Sequence, residues 1–109
     1  MNAVTEIKEI CRQIVDNFHP HKVILFGSYA YGQPNADSDV DLLVIMPFTD
    51  RESAKAIEIR KKIETVLPLD LLVRTPEKVR ERIALEDFFM REITEQGKVL
   101  YETANAGMD

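Results

Sequence analysis

The sequence predicts an α/β domain of the α+β kind, a mixed β-sheet flanked by helices. Three observations carry this. Short apolar runs, Val23-Ile24-Leu25-Phe26 and Leu42-Leu43-Val44-Ile45-Met46, are rich in β-branched residues and bounded by turn formers, as strands are. Ile7, Ile10, Cys11, Ile14, Val15 and Phe18 instead recur at helical spacing with charged residues between them. Finally, 109 residues leave room for one core and little else.

The first helix should end at His19-Pro20-His21, because proline disfavours helix at the residue before it and donates no backbone hydrogen bond. Two histidines constrain a metal site too loosely to outweigh a polar connector, so they read as loop. A strand over about 22–26 follows, then a helical turn over Ser28–Tyr31. Gly32-Gln33-Pro34-Asn35-Ala36-Asp37 makes an exposed loop of turn formers. The second strand covers about 39–46, and Pro47 breaks it. Thr49 or Asp50 can cap a helix running to about Leu67, with Ala56, Ile59, Ile63, Val66 and Leu67 as its core stripe. Its other side, Arg51, Lys55, Arg60, Lys61 and Lys62, reads as a solvated basic face, with contact to a phosphate as the lesser reading. Leu69–Val73 is a third strand, and Thr75-Pro76 caps and starts another helix. A last helix spans roughly Leu85–Glu95, ended by Gln96-Gly97, and Lys98–Tyr101 is a short final strand. The domain therefore covers residues 1–102, with 103–109 a loose tail.

The chemistry lies at the strand ends. Gly27-Ser28 directly follows the first apolar run, and Asp39 and Asp41 open the second. Alternation puts these two carboxylates on one face, roughly 6.6 Å apart along the strand. Asp70 alternates with Leu69 and Leu71, so it joins the same face if its strand is the neighbour. Solvent exposure would explain a single strand aspartate. It does not explain three at the ends of nearly unbroken apolar runs, which mark central strands where a carboxylate is costly without a cation or hydrogen-bond partners. Hard oxygen ligands so placed suit Mg²⁺ carrying a nucleoside triphosphate. Gly27 permits a tight strand-to-helix turn, and Ser28 with nearby N–H groups can hold phosphate oxygens. Ser38 either hydrogen-bonds phosphate or orients the strand entry.

The stretch Gly27–Asp41 resembles the GS-x10-D-x-D signature of the DNA-polymerase-β-like nucleotidyltransferase superfamily, in particular its minimal (MNT) branch. The likeness runs from Val23 to about Tyr101 and takes in the acidic strand at Asp70. It implies the polymerase-β-like fold and a nucleotidyltransferase that moves AMP from ATP. Two Mg²⁺ ions would be held by Asp39 and Asp41, with Asp70 completing the second site and helping to deprotonate an acceptor hydroxyl. Many short proteins of this branch are encoded beside a HEPN-domain toxin, so the resemblance implies an antitoxin that modifies a HEPN ribonuclease, at a tyrosine. Many relatives carry arginine two residues before the equivalent of the second glycine, or next to it. Tyr29-Ala30-Tyr31-Gly32 has none, which leaves the cationic group for the departing phosphates unassigned. A small-molecule transferase of the antibiotic-modifying kind would need a further substrate domain, and a steric inhibitor without catalysis would not need intact acids.

Composition narrows the partners. The formal charge is −5 and no Lys/Arg block occurs, so nucleic acid is an unlikely substrate on electrostatic grounds. Cys11 is the single cysteine, which excludes an internal disulfide and a multi-cysteine zinc site and reads as a buried structural thiol. No segment resembles a signal peptide or approaches the ~20 apolar residues of a membrane span, so the expected location is the cytoplasm. Self-association stays open. Phe88-Phe89-Met90 on one helix reads either as a wide core stripe or as an interface.

Overall fold

The computed structural model describes residues 2–104, so most of the expected tail, 105–109, lies outside the described residues. Helix α1, Ala3–Phe18, starts where the Asn2 side chain accepts the Thr5 N–H and ends where His19 turns left-handed at φ 48°. Its apolar stripe, Ile7, Ile10, Cys11 and Ile14, is buried. Strand β1, Lys22–Phe26, leads through Gly27 into the short helix α2, Ser28–Tyr31. An exposed loop returns the chain to β2, Val40–Ile45, which pairs antiparallel with β1.

Helix α3 runs Glu52–Lys61, with Arg51 at its start making no side-chain cap. It stops six residues short of Leu67. The chain leaves the helix at Lys62, Ile63 still turns into the core, and Gln13 of α1 clamps the next residue, its amide donating to Glu64 O and accepting from Glu64 N–H. Val66 is consequently 76% exposed and is not part of the core stripe. Two side chains of the basic face of α3 are engaged locally: Lys55 sits 5.5 Å over the Phe18 ring, and Arg60 donates to Ile63 O.

Strand β3, Leu69–Arg74, pairs parallel with β2. Helix α4, Pro76–Ala84, is capped by Thr75 as its sequence predicts. Leu85 ends α4, Glu86 turns left-handed at φ 61°, and α5 starts at Phe88, with the Asp87 carboxylate accepting from Met90 N–H. The last helix is therefore Phe88–Gln96 and does not begin at Leu85. Strand β4, Lys98–Glu102, then pairs antiparallel with the far side of β1.

The sheet order is β3-β2-β1-β4. One correction follows for the apolar runs: β1 and β2 are central, but β3, equally apolar, is an edge strand among the described residues. Its apolar residues are spent on neighbours: Val73 is fully buried, and Leu69, Leu71 and Leu72 pack partly against the two cores.

Alternation gives the sheet two apolar faces. Val23, Leu25, Val40, Leu42 and Val44 pack against α1 and α3. Ile24, Phe26, Leu43 and Ile45 pack against Val79 of α4 and Met90 and Ile93 of α5. Of the Phe88-Phe89-Met90 trio only Met90 enters the core, while Phe88 is 75% and Phe89 53% exposed. Cys11 is buried, and burial pushes its thiol up to about 11, which makes it inert at neutral pH. Among the described residues no helix is long and apolar enough to cross a membrane.

Candidate active site

Sheet register assembles the acids. Phe26 of β1 lies opposite Asp41 of β2, and Asp41 lies opposite Asp70 of β3, so one row crosses three strands at one end of the sheet. Cross-strand partners share a face. Asp41 and Asp70 therefore project from the face that α4 and α5 partly cover, beyond the last apolar layer. Asp39 precedes the strand, which begins at Val40 and not at Asp39 itself. Val40 N–H donates to Pro68 O, holding the entry of β2 against the entry of β3.

Burial pushes the Asp41 carboxyl above its ordinary range, and the neighbouring Asp70 and Asp39 charges add to this, with Asp70 within side-chain hydrogen-bonding reach. Asp39 and Asp70 are exposed, whereas Asp41 is half-buried. Among the described residues no group of three His, Cys, Asp or Glu side chains is placed so that it could hold a metal ion. The donor set itself suits Mg²⁺: hard carboxylate oxygens of Asp41 and Asp70 on a shared face, with the Asp41 carboxyl pushed up by burial and then by the like charges beside it.

Gly27 supplies the other wall. Its backbone, at φ 73° and ψ −160°, adopts a conformation open to glycine and strained for other residues. The same position leaves room for Asp41: a Cβ on Gly27 would lie 2.0 Å from Asp41 Oδ2. The Gly27 carbonyl accepts from both Ala30 and Tyr31 N–H at 3.0 Å, which closes the tight turn and sets Ser28 as the first residue of α2. Thus Gly27-Ser28 stands directly beside Asp41. Ser38 has a local task, since its hydroxyl accepts from Asn35 N–H at 2.9 Å and braces the loop before Asp39.

Two residues at this corner were not singled out as site residues from the sequence. Tyr31 stands in the turn where arginine is missing. Burial and the Glu92 carboxylate push its phenol up, against a hydrogen bond from Gly27 N–H, so it remains a neutral hydrogen-bonding group at the site's edge. The absence of arginine in Tyr29-Ala30-Tyr31-Gly32 was the available signal. Phe89 packs edge-on to Phe26, ring centroids 5.8 Å apart, beside the acid row. Nothing in the sequence tied α5 to β1 at that point.

Comparison with known proteins defines the class. Residues 4–101 match the Nucleotidyltransferase domain family, and the chain belongs to it. More particularly, it is 30% identical over 105 residues to a Methanocaldococcus jannaschii protein provisionally named as a protein adenylyltransferase, spanning 93% of this chain and 100% of that protein. The solved structure of a Sulfolobus solfataricus protein, provisionally named a nucleotidyltransferase, shares the fold at TM-score 0.64 and 19% identity, over 91% of this chain and 79% of that one. A solved toxin-antitoxin MntA-HpeT mutant overlaps more loosely, with TM-score 0.47 and 17% identity over 96% and 77% of the two chains, below the level that defines a common fold.

Proposed function

We propose that this nucleotidyltransferase moves AMP from ATP onto a tyrosine hydroxyl of a HEPN-type ribonuclease toxin and so serves as its antitoxin in the cytoplasm. The observation that carries the chemistry is the Asp41–Asp70 register, with Asp39 two residues earlier and Gly27-Ser28 alongside. Asp39 and Asp41 would hold Mg²⁺, with Asp70 completing a second site. Bound there, the metal would offset the negative charge of the triphosphate and of the departing pyrophosphate. Gly27 keeps the backbone close to the phosphates, and Ser28 at the start of α2 offers its hydroxyl to their oxygens. Asp70, exposed on the far side of Asp41 from Gly27, is the proton acceptor. The acceptor oxygen bonds to the α-phosphorus, the bond from that phosphorus to the pyrophosphate oxygen breaks, and the hydroxyl proton passes to the Asp70 carboxylate. A protein acceptor is supported by the M. jannaschii relative, matched along its whole length. The toxin and its tyrosine rest on the MNT resemblance.

The test incubates the chain with ATP, Mg²⁺ and a HEPN protein encoded beside it, and reads intact masses. The expected result is a gain of one or more AMP units on the HEPN protein, absent with Asp39→Asn. A tight complex without any mass change would replace transfer by steric inhibition.

A further inference from the structure

The two edges of the sheet differ. β4 shifts register against β1 between Val23 and Ile24 and exposes Lys98 and Glu102 at its ends, features with which natural sheets discourage further pairing. β3 has no such protection: its register against β2 runs unbroken from Leu69 to Arg74, it contains no lysine or proline, and its two charges, Asp70 and Arg74, are of opposite sign. Pro68 O and Arg74 O accept from Val40 and Met46 N–H, so the even-numbered residues of β3 turn their backbone groups toward β2. Leu69, Leu71 and Val73 therefore turn theirs outward, to an edge that no described strand pairs.

An apolar groove runs along this edge. Ala56 and Ile57 of α3 line it with Leu69 and Leu71 in one part, of about 170 Å³, and with Leu71, Leu72 and Val73 in a second, of about 390 Å³. Ile57 is 57% exposed there. A regular apolar edge with outward backbone groups is a template for one more strand.

The charges select that strand. A two-fold axis at Leu72 would set a second copy of β3 antiparallel to the first. Leu71 then lies opposite the partner's Val73, both with outward backbone groups as a hydrogen-bonded pair needs, and Leu72 lies opposite the partner's Leu72. Asp70 meets the partner's Arg74, and Arg74 meets the partner's Asp70. These are non-hydrogen-bonded pairs, with Cα atoms about 4.5 Å apart and side chains on one face. An axis at Leu71 would instead oppose Asp70 to the partner's Leu72 and leave Arg74 without a match. Arg74 now has Nε 3.5 Å from Glu52 and donates from a terminal nitrogen to Val73 O at 2.8 Å. Val73 O is one of the outward carbonyls, and the partner's Leu71 N–H would take it over. The released end of the guanidinium, which carries five N–H donors in all, can then meet a carboxylate while Nε stays beside Glu52.

We propose that the chain pairs with a second copy of itself through β3, two-fold about Leu72, so that each site receives Arg74 of the other copy beside its Asp70. The pairing rests on the edge alone. Its bearing on the site rests on the adenylyl-transfer reading, in which the turn Tyr29-Ala30-Tyr31-Gly32 supplies no arginine to the acids. The partner's Arg74 brings one cation to the acid row and is a positioning residue for the Asp70 carboxylate.

Cross-linking and charge exchange test this. Cys11 is buried, so Leu72→Cys adds the one accessible thiol. Under mild oxidation it should form a disulfide-linked dimer, because a Cα separation of about 4.5 Å suits the bond. Leu71→Cys should not, since each copy's residue 71 is then only diagonal to the other, beyond the ~7 Å limit. Arg74→Asp sets like charges opposite each other at both ends of the seam, as does Asp70→Arg, so each variant should sediment as a monomer at concentrations where the wild type is a dimer. Mixing the two variants restores both opposite-charge pairs and should give a dimer. A monomeric wild type, cross-linking through Leu71→Cys in place of Leu72→Cys, or a mixture that stays monomeric while both variants keep the wild-type circular dichroism overturns the pairing. In the AMP-transfer assay Arg74→Asp should be at least tenfold slower than wild type and recover when Asp70→Arg, which has no proton acceptor of its own, is added. A restored dimer without restored transfer overturns the role of Arg74. A wild type that cross-links as expected in its Leu72→Cys form but transfers no AMP overturns the adenylyl-transfer reading and leaves the pairing standing.

Discussion

Replacing Gly27 by alanine tests the closeness of backbone and carboxylate at the site. Two costs act on the variant. A residue with a side chain at φ 73°, ψ −160° is strained by about 1–3 kcal/mol. The new methyl would also stand 2.0 Å from Asp41 Oδ2, where ordinary contact begins at 3.4 Å, so the carboxylate must retreat by more than 1 Å. Forced repacking of that size costs about 1–3 kcal/mol more. The summed loss, about 2–6 kcal/mol, is read as a shift of the urea midpoint at unchanged slope. An Asp41→Ala background removes the offending oxygen but leaves the backbone strain. In that background Gly27→Ala should cost only the strain, so the double-mutant cycle should show coupling of about 1 kcal/mol or more. AMP transfer by the single variant should fall by about 10²-fold, the usual effect of a 1 Å misplacement of a reacting group. Additive effects on stability, to within about 0.5 kcal/mol, would refute the close approach and with it the account of why glycine stands at this corner.

Asp41→Asn should raise the thermal midpoint of the metal-free protein at neutral pH. The native carboxyl titrates above its unfolded value, so its penalty is absent below the unfolded value of about 3.9 and complete above the raised native one. The gain over wild type should therefore shrink as pH falls through the native titration; a gain that grows on acidification would reverse the assignment. Val66→Asp should change stability by no more than about 0.5 kcal/mol in chemical denaturation, since Val66 lies beyond α3 in solvent. A loss above about 2 kcal/mol would restore the longer helix with its extended core stripe.

Much of this protein was legible along the chain because the signals are local. The period of Ile7, Ile10, Cys11 and Ile14 specifies a one-sided helix whatever it packs against. The Gly-Ser pair set before Asp39 and Asp41 marks the candidate site by its spacing. Thr75-Pro76 marks a helix start through hydrogen bonding within one turn. Residues whose state depends on distant partners could not be read so. Val66 has the spacing of a core residue and lies in solvent, because Gln13 of α1 clamps Glu64 and turns the chain out of the helix. Leu69–Val73 is as apolar as the strands beside it, yet its place at the edge follows from a pairing order that hydropathy does not encode. Asp70 could be put on a face from parity alone. Only the parallel register of β2 and β3 sets it opposite Asp41, and only packing of α5 over β1 brings Phe89 to the same corner. Short-range patterns thus determined most of the elements and marked the residues of the candidate site. Long-range pairing decided which charges meet, because strand register and helix docking are settled by the sum of contacts across the whole sheet.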